Sequence, residues 1–180
     1  KGKEISPMTS FRRRNEVREL GKEDVLEKIL DVGLIAVIRL HENDRLDEVV
    51  EALGSAGARV IEITTTVPDA IESISRYAED LGDEFTLGLG TITDGKTATS
   101  AIDAGAEFVV SPVLQEEMLE VARSRGVLAI PAAYGPTEIW HAHEMGADAV
   151  KLFPARSLGP SYVRDILGSP PPIKVIPAGG

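Results

Sequence analysis

Apolar positions gather in short runs rich in aliphatic and β-branched residues. The runs are Leu34–Leu40, Arg59–Thr65, Phe85–Gly90, Glu107–Ser111, Val127–Pro131, Asp148–Phe153 and Ile173–Pro177. Each reads as a strand. Their starts lie 20 to 26 residues apart, which leaves room for one helix in each gap. The gaps carry a different period. Asp44–Ala56 places Leu46, Val49, Val50 and Leu53 on one face, and Leu114–Ser124 does the same with Leu114, Met118, Leu119 and Ala122. That spacing predicts amphipathic helices. Val25–Val32 predicts an extra helix ahead of the first strand.

A weak repeat fixes the register. Ala56-Gly57-Ala58, Ala104-Gly105-Ala106 and Met145-Gly146-Ala147 each close a helix and precede a strand. Glycine suits the left-handed residue that ends a helix. Repeated strand–helix units imply parallel strands with crossover helices, and continuously apolar strands fit a sheet covered by helices. The choice is between a doubly wound open sheet and a (βα)8 TIM barrel. No Gly-x-Gly-x-x-Gly follows the first strand, Ile35-Ala36-Val37-Ile38-Arg39, so the dinucleotide form of the open sheet lacks its fingerprint. Polar residues instead sit at the C-terminal ends of several strands, where barrel enzymes keep their chemistry. The expected fold is therefore an α/β (βα)8 barrel over residues 22–180, preceded by an N-terminal arm over 1–21. Only seven strands are counted, and a closed barrel of this type has eight. The expectation is a barrel truncated after strand seven, within a fragment or the ordered part of a longer protein.

Composition narrows the classes. The chain has 180 residues, with 19 Lys and Arg against 29 Asp and Glu, a formal net charge of −10. That balance argues against nucleic acid as a partner. With no cysteine, disulfides, a thiolate nucleophile and a Cys-based zinc site are excluded. No apolar run is long enough to span a membrane, and the polar N-terminus lacks the apolar stretch of a signal peptide. A cytoplasmic protein is expected. The Arg12-Arg13-Arg14 run is either a phosphate contact or a solvated arm.

The chemistry lies in residues that do not fit their surroundings. In Ile61-Glu62-Ile63-Thr64-Thr65-Thr66, alternation turns Glu62, Thr64 and Thr66 toward the barrel interior. An inward carboxylate is costly unless paired, so Glu62 is either half of a core ion pair or functional. Lys151 interrupts the apolar strand Asp148–Phe153, on the face of Ala149 and Phe153. It either snorkels to the rim or supplies a neutral amine that forms a Schiff base with a ketone. Arg39 shares a face with Ile35 and Val37 and suits a carboxylate or phosphate, or a surface ion pair. In Gly88-Leu89-Gly90-Thr91, the glycines permit close approach of a ligand and Thr91 offers a hydroxyl. Together these groups suit carbanion chemistry on a keto acid, with an iminium on Lys151 as electron sink and Glu62 moving protons. His141 and His143 are two apart on a predicted helix and do not share a face, so no metal site is expected.

These motifs resemble those of the class I 2-dehydro-3-deoxy-phosphogluconate aldolases, with their relatives acting on the galactonate epimer and on 4-hydroxy-2-oxoglutarate. The resemblance runs from Asp24 to Gly180 through Val60–Thr64, Gly88–Thr91, Val110-Ser111-Pro112, Lys151–Pro154 and Pro177–Gly180. It implies a compact barrel, a homotrimer, and reversible cleavage of a 2-keto-3-deoxy sugar acid to pyruvate and an aldehyde. Its small-molecule partners are thus a keto acid and an aldehyde, with no metal or organic cofactor. Residue by residue, it implies that Lys151 forms the Schiff base, Glu62 transfers protons and Thr91 holds the pyruvate carboxylate. Pro112 and Phe153 match the pyruvate pocket, and Gly179 and Gly180 a phosphate site. Many members carry an arginine where this chain has Thr66, which leaves the carboxylate contact there to Arg39. Tyr134 and Arg156 also depart from the family pattern and bear on which aldehyde fits. Two alternatives are a non-catalytic trimeric barrel scaffold that keeps the motifs and another phosphate-binding barrel enzyme such as an isomerase.

Overall fold

The computed structural model describes residues 21–168 and 172–179. The arm expected over 1–21, apart from Gly21, lies outside the described residues, as does Gly180. The chain opens with α1 (Lys22–Val32), β1 (Ala36–Ile38), α2 (Leu46–Ser55), β2 (Val60–Thr64) and α3 (Ala70–Leu81). It continues with β3 (Thr86–Gly90), α4 (Gly95–Asp103), β4 (Phe108–Val110) and α5 (Glu116–Arg125). Then come β5 (Leu128–Ile130), β6 (Ala132–Ala133), α6 (Pro136–Glu144), β7 (Val150–Leu152), α7 (Gly159–Leu167) and β8 (Val175–Pro177).

Every strand pair is parallel, in the order β1-β2-β3-β4-β5 and then β6-β7-β8. The expected strand Val127–Pro131 is thus longer than the sequence indicates and is split at Pro131. Proline has no N–H for the ladder, yet its carbonyl still accepts from Lys151 N at 2.9 Å and Ala133 O accepts from Phe153 N at 3.0 Å. Seven strand positions result, one of them in two pieces: a partial (βα)8 barrel. Among the described residues, β1 and β8 are the outer strands of this arrangement.

Alternation along the strands builds two apolar layers. Ile61, Ile63, Leu87, Leu89, Val109, Val150 and Leu152 pack outward with Leu46, Ile74, Met118 and Ile139 from the helices. Val60, Phe108, Val110, Leu128, Ile130 and Ala149 point inward and form a second cluster with Val25 and Ile29 of α1. Helix α1 therefore lies against the N-terminal ends of the strands. Lys22 Nζ fixes it there at 2.7 Å from Asp148 Oδ1, whose other oxygen accepts from Ala129 N. The three repeated glycines, Gly57, Gly105 and Gly146, take the left-handed conformation at φ 88°, 99° and 88°, as the helix-closing pattern requires.

Gly88 has a different task. A Cβ built on it would fall 2.3 Å from the Phe108 ring, so the glycine makes room for the largest fully buried inward side chain. Gly88→Ala is expected to overpack this layer and lower stability by about 1–3 kcal/mol. A urea titration checks this as a lower midpoint at unchanged slope.

Candidate active site

The strand alternation that builds the core also places two ionisable groups inside it. Glu62 is the middle residue of β2 and Lys151 the middle residue of β7. Their side chains are 3% and 7% exposed, with Lys151 Nζ 3.6 Å from Glu62 Oε1. That separation permits strong attraction but exceeds a hydrogen bond. Three buried side-chain oxygens among the described residues lack a hydrogen-bond partner: Asn43 Oδ1, Glu62 Oε1 and Thr91 Oγ1. Both groups of the pair line a cavity of about 390 Å³, with apolar walls from Ile35, Val37, Val110, Ile130 and Ile176.

Burial pushes the Glu62 carboxyl above its ordinary value, and the positive charges of Lys151 and Arg39 only partly pull it back. A buried pair held beyond hydrogen-bond distance is a poor device for stability. A desolvated carboxyl beside a specific charge partner, at a cavity, marks a candidate functional site.

The carboxylate has its position because of Gly90. A Cβ there would fall 1.9 Å from Glu62 Oε1. The Gly-x-Gly sequence thus serves inward side chains from neighbouring strands, Phe108 at Gly88 and Glu62 at Gly90.

Phe153 follows Lys151 on the same face, with Lys151 Nζ 5.6 Å from its ring centroid, within cation–π range. The far side of that neighbourhood is Gly179, at φ 98°, where a Cβ would lie 3.4 Å from the same ring. Gly179 lines the Lys151 cavity and also a second cavity with Ala155 and Arg156. Arg39 is exposed at the end of β1 and acts on Glu62 through its charge.

Other expected residues are placed differently. Thr64 faces inward as expected and donates to Ile38 O at 2.9 Å, but Thr66 is exposed and shares a 2.7 Å hydrogen bond with Thr64 Oγ1. Thr64 therefore ties the ends of β1 and β2 together, and Thr66 bonds to Thr64 from the turn that follows. Pro112 is half-buried in the turn after β4, where Ser111 Oγ donates to Val113 O at 2.6 Å. Neither Thr66 nor Pro112 lines the Lys151 cavity. Thr91 lines a neighbouring groove with Thr65, Pro68, Asp69, Thr93 and Thr97. Its φ of 62° is left-handed, which is costly for a β-branched residue. Thr65 holds it from both sides, its Oγ1 donating to Thr91 O at 3.0 Å and its N–H to Gly90 O at 2.9 Å.

The sequence reading missed Asn43, whose buried amide oxygen lies in the turn after β1. It also missed Ser157 and Tyr162. Tyr134 Oη lies 3.3 Å from Ser157 Oγ, and Tyr162 Oη donates to Tyr134 O at 2.9 Å. These contacts join the turn after β6 to a 3-10 turn and to α7, far apart in the chain, and no local spacing announces them.

Comparison with known proteins gives a consistent result. A family model described as "Aldolase: KDPG and KHG aldolase" matches residues 25–180. The chain is 32% identical over 157 residues to the 2-dehydro-3-deoxy-phosphogluconate aldolase of Treponema pallidum, covering 87% of this chain and 74% of that one. It is 30% identical over 148 residues to the 2-dehydro-3-deoxy-6-phosphogalactonate aldolase of Escherichia coli, covering 82% and 72%. A crystal structure of KDPG aldolase from Legionella pneumophila, with pyruvate captured as a covalent carbinolamine, superposes with a TM-score of 0.74 at 29% identity. That match covers 81% of this chain and 71% of that one.

The state of Glu62 generates a test. Because its folded carboxyl holds a proton more tightly than the ordinary value of 4.5, the folded chain binds more protons than the unfolded chain above that pH. This contribution to stability is fully present below the ordinary value and is lost as pH rises through the folded one. Glu62→Gln is expected to flatten that part of the decline. Urea titrations of both proteins from pH 4 to 8 check it, and parallel curves would refute it.

Proposed function

The chain belongs to the KDPG and KHG aldolase family, and we propose that it is a class I aldolase. It reversibly cleaves a 2-keto-3-deoxy sugar acid, such as the 6-phosphogluconate derivative, to pyruvate and an aldehyde such as glyceraldehyde 3-phosphate. The observation that carries this reading is the buried Lys151–Glu62 pair, 3.6 Å apart at one cavity. A scaffold retaining only the motifs has no use for a charge pair that costs desolvation on both sides.

The chemistry follows from that pair. The unprotonated Lys151 amine attacks the C2 ketone and gives a carbinolamine, which loses water to become an iminium. Glu62, directly or through water, accepts the proton of the C4 hydroxyl. The C3–C4 bond then breaks, its electrons move into the iminium as an enamine, and the aldehyde leaves. The proton returns to C3, and hydrolysis releases pyruvate and frees Lys151. Burial makes this carboxyl hold a proton more tightly than an ordinary glutamate, which suits it to general acid–base work.

The remaining assignments belong to the same reading. Arg39 and Thr91 hold the pyruvate carboxylate. The charge of Arg39 at Glu62 and the unpartnered Thr91 Oγ1 support this. Phe153, whose ring centroid lies 5.6 Å from Lys151 Nζ, walls the pyruvate pocket, and Pro112 and Thr66 act outside the Lys151 cavity, from the turns after β4 and β2. Gly179 and Gly180 receive the substrate phosphate, with the start of α7 beside Gly179 lining the same cavity; helix N-termini favour such anions. No metal or organic cofactor takes part. The enzyme works as a cytoplasmic homotrimer on small molecules.

Borohydride reduction in the presence of pyruvate should leave one covalent adduct, mapped by peptide mass spectrometry to Lys151. Lys151→Met should abolish it. A folded wild-type protein that takes no adduct and releases no pyruvate would instead be the scaffold.

A further inference from the structure

We propose that Arg156 sets the substrate class by pairing with a terminal phosphate on the aldehyde half. The proposal rests on the aldolase reading and extends its site by one residue.

Arg156 lies in a short 3-10 turn, Ala155–Ser157, which starts four residues after Lys151. The turn is held at both ends. Ala155 N donates to Ala178 O at 2.8 Å, and Ser157 Oγ meets Tyr134 Oη at 3.3 Å. The guanidinium is thus carried on a fastened segment, although the residue itself is exposed.

Arg156 is also uncommitted. Arg45, Arg59, Arg76 and Arg125 each pair with a carboxylate. Among the described residues, Arg156 has no ion pair or hydrogen bond. It lines a cavity of about 570 Å³ with Gly159, Pro160, Val163 and the Pro177–Gly179 segment, and it is the single charged residue in that lining. In a chain of net charge −10, such a pocket offers an anion one cation and no opposing carboxylate.

The position relative to Lys151 supplies the ruler. One face of the Phe153 surroundings meets Lys151 Nζ, 5.6 Å from the ring centroid, and Gly179 abuts the same ring. The two cavities share Pro177, Ala178 and Gly179 in their walls. A substrate joined to Lys151 through C2 therefore extends its far carbons past Phe153 toward Gly179 and Arg156. A planar guanidinium there is matched to two phosphate oxygens at once, and a hydroxyl in their place forfeits the charge.

The test compares wild type, Arg156→Gln and Arg156→Lys, in the full-length protein carrying this chain. The two substrates are a six-carbon 2-keto-3-deoxy acid with a terminal phosphate and the same acid with a terminal hydroxyl. Arg156→Gln should lower kcat/KM roughly 10- to 100-fold on the phosphorylated acid. On the unphosphorylated acid the change should stay below about twofold, and Arg156→Lys should recover part of the loss. Pyruvate labelling by borohydride should be the same in all three proteins. Equal losses on both substrates, no loss on either, or a wild type indifferent to the phosphate would overturn the proposal. If the wild type took no pyruvate adduct, the aldolase reading would fail and this proposal with it. An adduct combined with a non-selective loss would overturn the role of Arg156 alone.

Discussion

A glutamate and a lysine lie 3.6 Å apart inside a sheet of otherwise apolar strands, and the nearby structure is shaped by keeping them there. Both side chains are almost fully buried, so each depends on the other and on the walls of the cavity. Gly90 gives up its side chain because the carboxylate occupies that space. Phe153 lies beside the ammonium. On the opposite face, Ile61, Ile63, Val150 and Leu152 bury both strands against the helices, which holds β2 and β7 in the register that brings Glu62 and Lys151 together. The apolar packing and the buried ion pair are thus two faces of the same strands.

The ends of the barrel divide the labour. Helix α1 packs Val25 and Ile29 against inward residues at the N-terminal ends of the strands. The C-terminal ends carry the polar groups on turns tied across neighbouring strands, as the Thr65 contacts to Gly90 and Thr91 and the Thr64 contact to Ile38 illustrate. One end carries packing and the other carries groups able to meet a ligand, the separation seen throughout barrel enzymes.

Much of this was readable in the sequence because it depends on period. The strand runs, the helical faces and the inward direction of Glu62, Thr64 and Lys151 all follow from side chains alternating along a strand or recurring along a helix. Contacts between distant segments were not readable. Pro131 looked like the end of a strand, whereas the neighbouring β7 ladder carries the strand past it to Ala133. Gly90 looked like a place for a ligand to approach, but the space belongs to Glu62. Thr91 offered only a hydroxyl at the end of β3; its left-handed backbone and its buried, unpartnered Oγ1 show only in the structure. Thr66 was expected inside and is exposed, since β2 ends at Thr64. The differences at Pro131 and Gly90 depend on partners far away in the chain.

In the proposed reaction Glu62 moves the proton while Lys151 holds the substrate. Exchange of the pyruvate methyl protons in D₂O, followed by NMR, isolates that step, because it needs the enamine and a proton carrier but no aldehyde. Wild type should exchange them. Glu62→Gln should exchange them roughly 100-fold more slowly or worse, while still forming the borohydride-trapped adduct on Lys151. Exchange at the wild-type rate in Glu62→Gln, with the adduct intact, would show that another group moves the proton.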